Sequence, residues 1–123
     1  MKANELMIGD WLKHYNGTPM QVTKITTEHF ACAEKRGMNC WEYNNKYEPI
    51  PLTPEILDKN GLTNDPYGCH FKEDEYMTLE ISVEEEGVYW TINYNECSIL
   101  KLKYVHELQH VLKLCGIDKE IIV

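Results

Sequence analysis

Three prolines in six residues, Pro49, Pro51 and Pro54, constrain this chain more than any other stretch. Each holds φ at about −65° and lacks a backbone donor. Neither an interior strand nor a helix can therefore run through Pro49-Ile50-Pro51-Leu52. The stretch is an extended connector that divides the 123 residues into 1–48 and 49–123. At this length one compact unit built of two small subdomains is expected.

The first part reads as short strands between turn signals. Met7-Ile8-Gly9-Asp10-Trp11-Leu12 leads into the first strand, with Gly-Asp as a bend. Asn16-Gly17 is a hairpin signal, because both residues tolerate positive φ. Met20-Gln21-Val22-Thr23-Lys24-Ile25 alternates until Ile25 falls out of phase with Val22, which predicts a bulge or an edge. Phe30–Glu34, Cys40–Tyr43 and Lys46–Glu48 are further strands, separated by turns at Arg36-Gly37 and Asn44-Asn45. Such a run predicts an SH3-like small β-barrel or a bent sheet over 1–48.

The second part is expected to be α+β. Thr53 caps a short helix that Pro54 opens and Gly61 closes. Asn64–Gly68 reads as a loop. Met77, Leu79, Ile81 and Val83 alternate cleanly, and Glu84-Glu85-Glu86-Gly87 turns the chain into Val88–Ile92, giving a β-hairpin or small antiparallel sheet. Cys97–Leu100 is either a third strand or the approach to a C-terminal helix over Lys101–Cys115, which Gly116 ends and which packs on the hairpin. Ile121-Ile122-Val123 is β-prone and would add an edge strand.

The C-terminal helix carries His106-Glu107-Leu108-Gln109-His110, a literal H-E-x-x-H. In zinc hydrolases this spacing brings two imidazoles to one metal, with the Glu as general base. At about 100° per residue, Tyr104, Val105, Leu108, Val111, Leu112 and Cys115 form an apolar stripe. The two histidines fall nearly opposite it, on the face expected to be wet. The residues after His110 supply no third histidine at a known offset; Asp118 and Glu120 are the only downstream carboxylates, and His70 is not indicated. The motif is therefore read as accidental, with no catalytic residue, metal or cofactor expected. His106, Glu107, Gln109 and His110 are instead expected to form an exposed contact surface. His14 and His29 show no ligand spacing, and Trp11, Trp41 and Trp90 are expected in the core.

Charge and cysteine usage narrow the classes of function. Residues 1–48 hold six bases and six acids, so the whole net charge of −8 lies in 49–123. An acidic half repels phosphate backbones and disfavours nucleic acid as a partner. Five widely spaced cysteines without a C-x-x-C pair read as reduced thiols, and no thiol has an adjacent Lys or Arg to activate it. Leu6-Met7-Ile8 is too short for a signal-peptide core or a membrane span, so a cytoplasmic location is expected. Glu73-Asp74-Glu75 and Glu84-Glu85-Glu86 read as solvated loops. A protein partner is the expected binding target, and homo-oligomerisation is left open.

Three blocks, Leu6–Trp11, Tyr47–Leu57 and Tyr104–Gln109, carry a resemblance. The chain resembles a family of small uncharacterised proteins from Bacteroides-type gut bacteria and their phages. Its pattern runs L-x-I-G-N-x-V, then P-I-P-L-T-E-x-x-L, then V-H-E-L-Q-N-L-Y. Where this chain has His110 that pattern has Asn, and Val111-Leu112 stands for Leu-Tyr. The resemblance implies phage or prophage origin and no metal site that depends on His110. The reading from sequence is thus a non-enzymatic protein-binding or adaptor module. Its alternatives are a zinc-dependent hydrolase using residues 106–110 and an acidic inhibitor that mimics nucleic acid.

Overall fold

The computed structural model describes residues 2–34, 40–41, 46–65, 68–71, 74–84, 87–94, 97–114, 116 and 120–123. The chain is α+β and divides into two compact units, residues 1–50 with 104–119, and residues 51–103 with 120–123. The first boundary falls between Ile50 and Pro51. The C-terminal helix, however, groups with the first unit and not with the hairpin it was expected to cover.

In the first unit a 3-10 turn, Ala3–Glu5, precedes strands β1 (Trp11–His14), β2 (Pro19–Ile25), β3 (Phe30–Ala33), β4 (Cys40–Trp41) and β5 (Tyr47–Pro49). The first four form an antiparallel meander, and β5 returns to pair with β1, so the sheet runs β4-β3-β2-β1-β5. No pairing joins β4 to β5 among the described residues, which leaves the sheet open and not closed into a barrel. Gly17 turns the first hairpin at φ 90°, with Asn16 Oδ1 accepting from Thr18 N at 2.9 Å. The expected slip in β2 is a register shift between Val22 and Lys24. Pro49 fits because β5 is an edge strand. The turns expected at Arg36-Gly37 and Asn44-Asn45 lie outside the described residues.

Period-two burial builds the core of this unit. Leu12, Met20 and Val22 point inward and join Ala3, Leu6, Phe30, Cys32 and Tyr47, with Ile25 packed alongside. All four residues of β3 are buried. Trp11 is only half-buried, so indole burial in the core is not met there. The side chains of Trp41 and Trp90 are outside the described set. An exposed ion pair, Lys13 to Glu48 at 3.2 Å, joins β1 to β5 and adds little in water.

The second unit holds α1 (Pro54–Lys59) and strands β6 (Leu62–Asp65), β7 (Gly68–Phe71), β8 (Asp74–Glu84), β9 (Gly87–Tyr94) and β10 (Cys97–Leu102). They form an antiparallel meander in the order β10-β9-β8-β7-β6. The sheet is larger than the sequence suggested. Asn64–Gly68, read as a loop, belongs to the β6–β7 hairpin, in which Asp65 pairs with Gly68. Asp74 and Glu75, read as solvated loop, begin β8. A polar strand is hard to recognise when alternation carries the signal.

Helix α1 has the expected ends. Thr53 Oγ1 accepts from Ile56 N at 3.3 Å, Pro54 opens the first turn, and Gly61 takes φ 78°. The C-terminal Ile121-Ile122-Val123 forms no strand. Its backbone meets a side chain instead. Asn60, buried, accepts from Ile122 N at 2.7 Å and donates to Ile122 O at 2.6 Å and Ile56 O at 2.8 Å. One carboxamide thus supplies the donor and acceptor that a neighbouring strand would have given. Asn60→Ala is expected to lower stability by about 1–3 kcal/mol, because buried backbone groups lose their partners. Urea unfolding measures the loss, and the Ile122 amide should become the fastest-gaining exchanger in the tail.

Candidate functional site

Helix α2 spans Val105–Leu114. It starts later than Lys101 because β10 continues to Leu102. Its apolar stripe is buried as the wheel requires: Val105, Leu108, Val111 and Leu112 are all essentially inaccessible. Each such side chain contributes about 1.5–3 kcal/mol relative to exposure. Gly116 follows the helix at φ 73°, its amide donating to Lys113 O. Cys115, the last member of the stripe, lies outside the described residues.

The opposite face is only partly exposed. It lies against the turn that leads into β1, and it does so through hydrogen bonds. Met7-Ile8-Gly9-Asp10 is a β-turn closed by Asp10 N donating to Met7 O at 3.1 Å. Gly9 sits at its third position with φ 94°, where a positive φ is required. The Asp10 side chain folds back, and Met7 N donates to its Oδ2 at 2.8 Å. This buries the carboxylate completely.

Each of the four residues expected to form an exposed surface has an internal task. Gln109 makes a two-point clamp: Nε2 donates to Gly9 O at 2.9 Å, and Oε1 accepts from Trp11 N at 2.9 Å. His110 Nε2 and Asp10 Oδ2 share a hydrogen bond of 2.6 Å, in which the ring nitrogen is the donor whenever the carboxylate is ionised. The His110 side chain is 24% exposed. Glu107 stands third in the helix and accepts from Tyr104 N at 2.9 Å, the glutamate half of a capping box. His106 is 7% exposed, with its ring stacked on Tyr104 at 5.9 Å and edge-on to His110 at 5.6 Å. The expected exposure of His106 is therefore corrected: that ring is buried, while Glu107, Gln109 and His110 are half-buried, the latter two seating this face on the turn through hydrogen bonds.

Burial decides the electrostatics. Desolvation holds the His106 imidazole below its usual pKa, outweighing Asp10, Glu107 and Glu5, which act to raise it; His110 adds to the lowering. Two polar atoms in the cluster, Asp10 Oδ1 and His106 Nδ1, are buried without a hydrogen-bond partner among the described residues. Both belong to side chains that sequence reasoning would need the fold to connect.

The arrangement is poorly suited to the chemistry that H-E-x-x-H serves in zinc enzymes. A general base needs a carboxylate turned toward a bound water, and here Glu107 is turned to the helix's own first amide. His110 holds a carboxylate through the nitrogen that would face a metal. Among the described residues no group of three or more His, Cys, Asp or Glu side chains is placed to hold a metal ion. Asp10 was the functional-cluster residue missed from sequence. Its Gly-Asp bend was visible, but its partner lies 100 positions away.

Because Gln109 ties the backbone of Gly9 and Trp11 to the helix, Gln109→Ala is expected to cost about 1–3 kcal/mol. Glu107→Ala, which loses a cap, is expected to cost about 1 kcal/mol. A Gln109→Ala denaturation midpoint equal to that of the unsubstituted chain would contradict the clamp. Comparison of the chain with protein families, with curated proteins and with solved structures finds no match.

Proposed function

We propose that the chain is a non-enzymatic protein-binding or adaptor module that meets a basic partner through its second unit. The observation that carries this reading is the segregation of charge. Residues 51–103 and 120–123 hold four bases and twelve acids, whereas the first unit holds eight of each. The entire net charge of −8 thus belongs to one unit. A field concentrated in this way speeds encounter with an oppositely charged surface and rejects phosphate backbones.

The internal use of the H-E-x-x-H side chains supports the same reading. His106, Glu107, Gln109 and His110 cap and seat a helix, so the contact surface is moved away from them to the acidic unit. The N-terminal meander with β5 returning to β1 is read as an SH3-like arrangement, left open at its edge. On the strength of the three resemblant sequence blocks the module is assigned a phage or prophage origin. No helix among the described residues is long and apolar enough to cross a membrane.

Two measurements test the proposal. Protein purified without a histidine tag should carry far less than one zinc per chain. Stoichiometric zinc that disappears in His110→Ala would establish the hydrolase reading instead. Partner capture from host extract, followed by titration with the isolated partner, should show binding that weakens steeply between 50 and 300 mM salt. It should weaken likewise in the triple variant Glu84→Gln, Glu85→Gln, Glu86→Gln. Binding indifferent to both changes would remove the acidic unit from the contact. If the partner also binds DNA and DNA competes for it, the module is an acidic inhibitor that mimics nucleic acid.

A further inference from the structure

The seat of α2 on the N-terminal turn places two imidazoles around one buried carboxylate. His110 Nε2 and Asp10 Oδ2 share a hydrogen bond of 2.6 Å, and the His106 ring lies 5.6 Å from that of His110, one helical turn away. Asp10 is wholly buried and His106 nearly so. The cluster has one buried carboxylate, Asp10, and His110 already engages it. No second buried carboxylate among the described residues stands ready for a charge on His106. Glu107 faces His106 from α2 itself, but its Oε1 is engaged by Tyr104 N. Glu5, from the 3-10 turn, is exposed, so water screens it.

We propose that this seat is a proton-sensitive latch, in which protonation of His106 beside His110 releases the clamp of Gln109 and frees α2 from the turn. The driving force is charge placed on a buried ring whose nearest buried carboxylate already serves His110. Burial already disfavours the charged imidazole of His106, whose pKa is lowered from 6.5. The sign follows from linkage. Above about pH 6.5 both the seated and the released forms carry neutral His106, and the latch has its full strength. As the pH falls through that value the released form takes up the proton first, so seating weakens progressively. It levels off only below the lowered pKa of the seated form.

The clamp contains its own reporter. Trp11 N donates to Gln109 Oε1, so its exchange protection follows the seat directly. Amide protection is compared at pH 7.5 and pH 5.0 in the full chain, with the His106 ring followed by NMR across the same range. The Trp11 protection factor is expected to fall at least tenfold, while Phe30 to Ala33 in the same unit keep theirs. Its midpoint should coincide with the titration of the His106 ring. In His106→Gln, which cannot take up a proton, the pH response should flatten. Three results would overturn the latch: a Trp11 amide equally protected at both values, a uniform loss across β3 that marks global unfolding, or a response that persists in His106→Gln. Should that variant fail to fold, the wild-type comparison still decides. A His106 ring that titrates without any change at Trp11 is sufficient to reject the latch.

Discussion

The carboxamide of Gln109 is the contact on which the first unit depends. It joins parts of the chain about a hundred residues apart, reaching back to Gly9 and Trp11. Its geometry is that of a strand neighbour, accepting from one amide and donating to a carbonyl two residues earlier. Backbone groups at the Met7–Asp10 turn need partners when they are buried, and Gln109 supplies one to each of Gly9 O and Trp11 N. Gly9 makes the arrangement attainable. Its positive φ aims a carbonyl that accepts from both Gln109 and the Gln21 side chain, the latter at 3.1 Å.

The second unit repeats the device. Asn60 holds the backbone of Ile122 with the same pair of donor and acceptor. In both places a side-chain amide from a helix or its cap adds a donor and an acceptor to the backbone of a segment that is β-prone or strand-leading. Side-chain amides suit this role because they carry both polarities in one plane and no charge that burial would penalise. Asp10 is the exception. Its buried charge is tolerated through Met7 N and His110, and that dependence makes the region sensitive to protons.

The H-E-x-x-H run shows how a motif and its physical context separate. Helical periodicity correctly assigned Val105, Leu108, Val111 and Leu112 to a buried stripe. It also placed the histidines on the opposite face, and that geometry holds. The error lay in equating the face opposite an apolar stripe with solvent. A polar face can be covered when another part of the chain brings complementary hydrogen-bonding groups, and Gly9-Asp10-Trp11 does so from about a hundred residues away. No local pattern reports such a partner. Leu114, by contrast, is 86% exposed, so apolar character was no better a guide to burial at the helix end.

Local rules were enough to identify the elements with short-range causes. The Asn16-Gly17 hairpin follows from φ tolerance, the α1 boundaries from Thr53, Pro54 and Gly61, and the β2 irregularity from a break in alternation. The division at the prolines follows from missing donors, and the charge asymmetry from residue counts alone. Tertiary structure decided what depends on groups far apart in the chain. It returned β5 to β1 without closing the sheet, extended the second sheet through the polar β6–β7 hairpin, and assigned α2 to the first unit. It also turned His106, Gln109 and His110 inward. Hydrogen-bond partners across such distances are set by the packing of whole elements, and that is information no window of sequence contains.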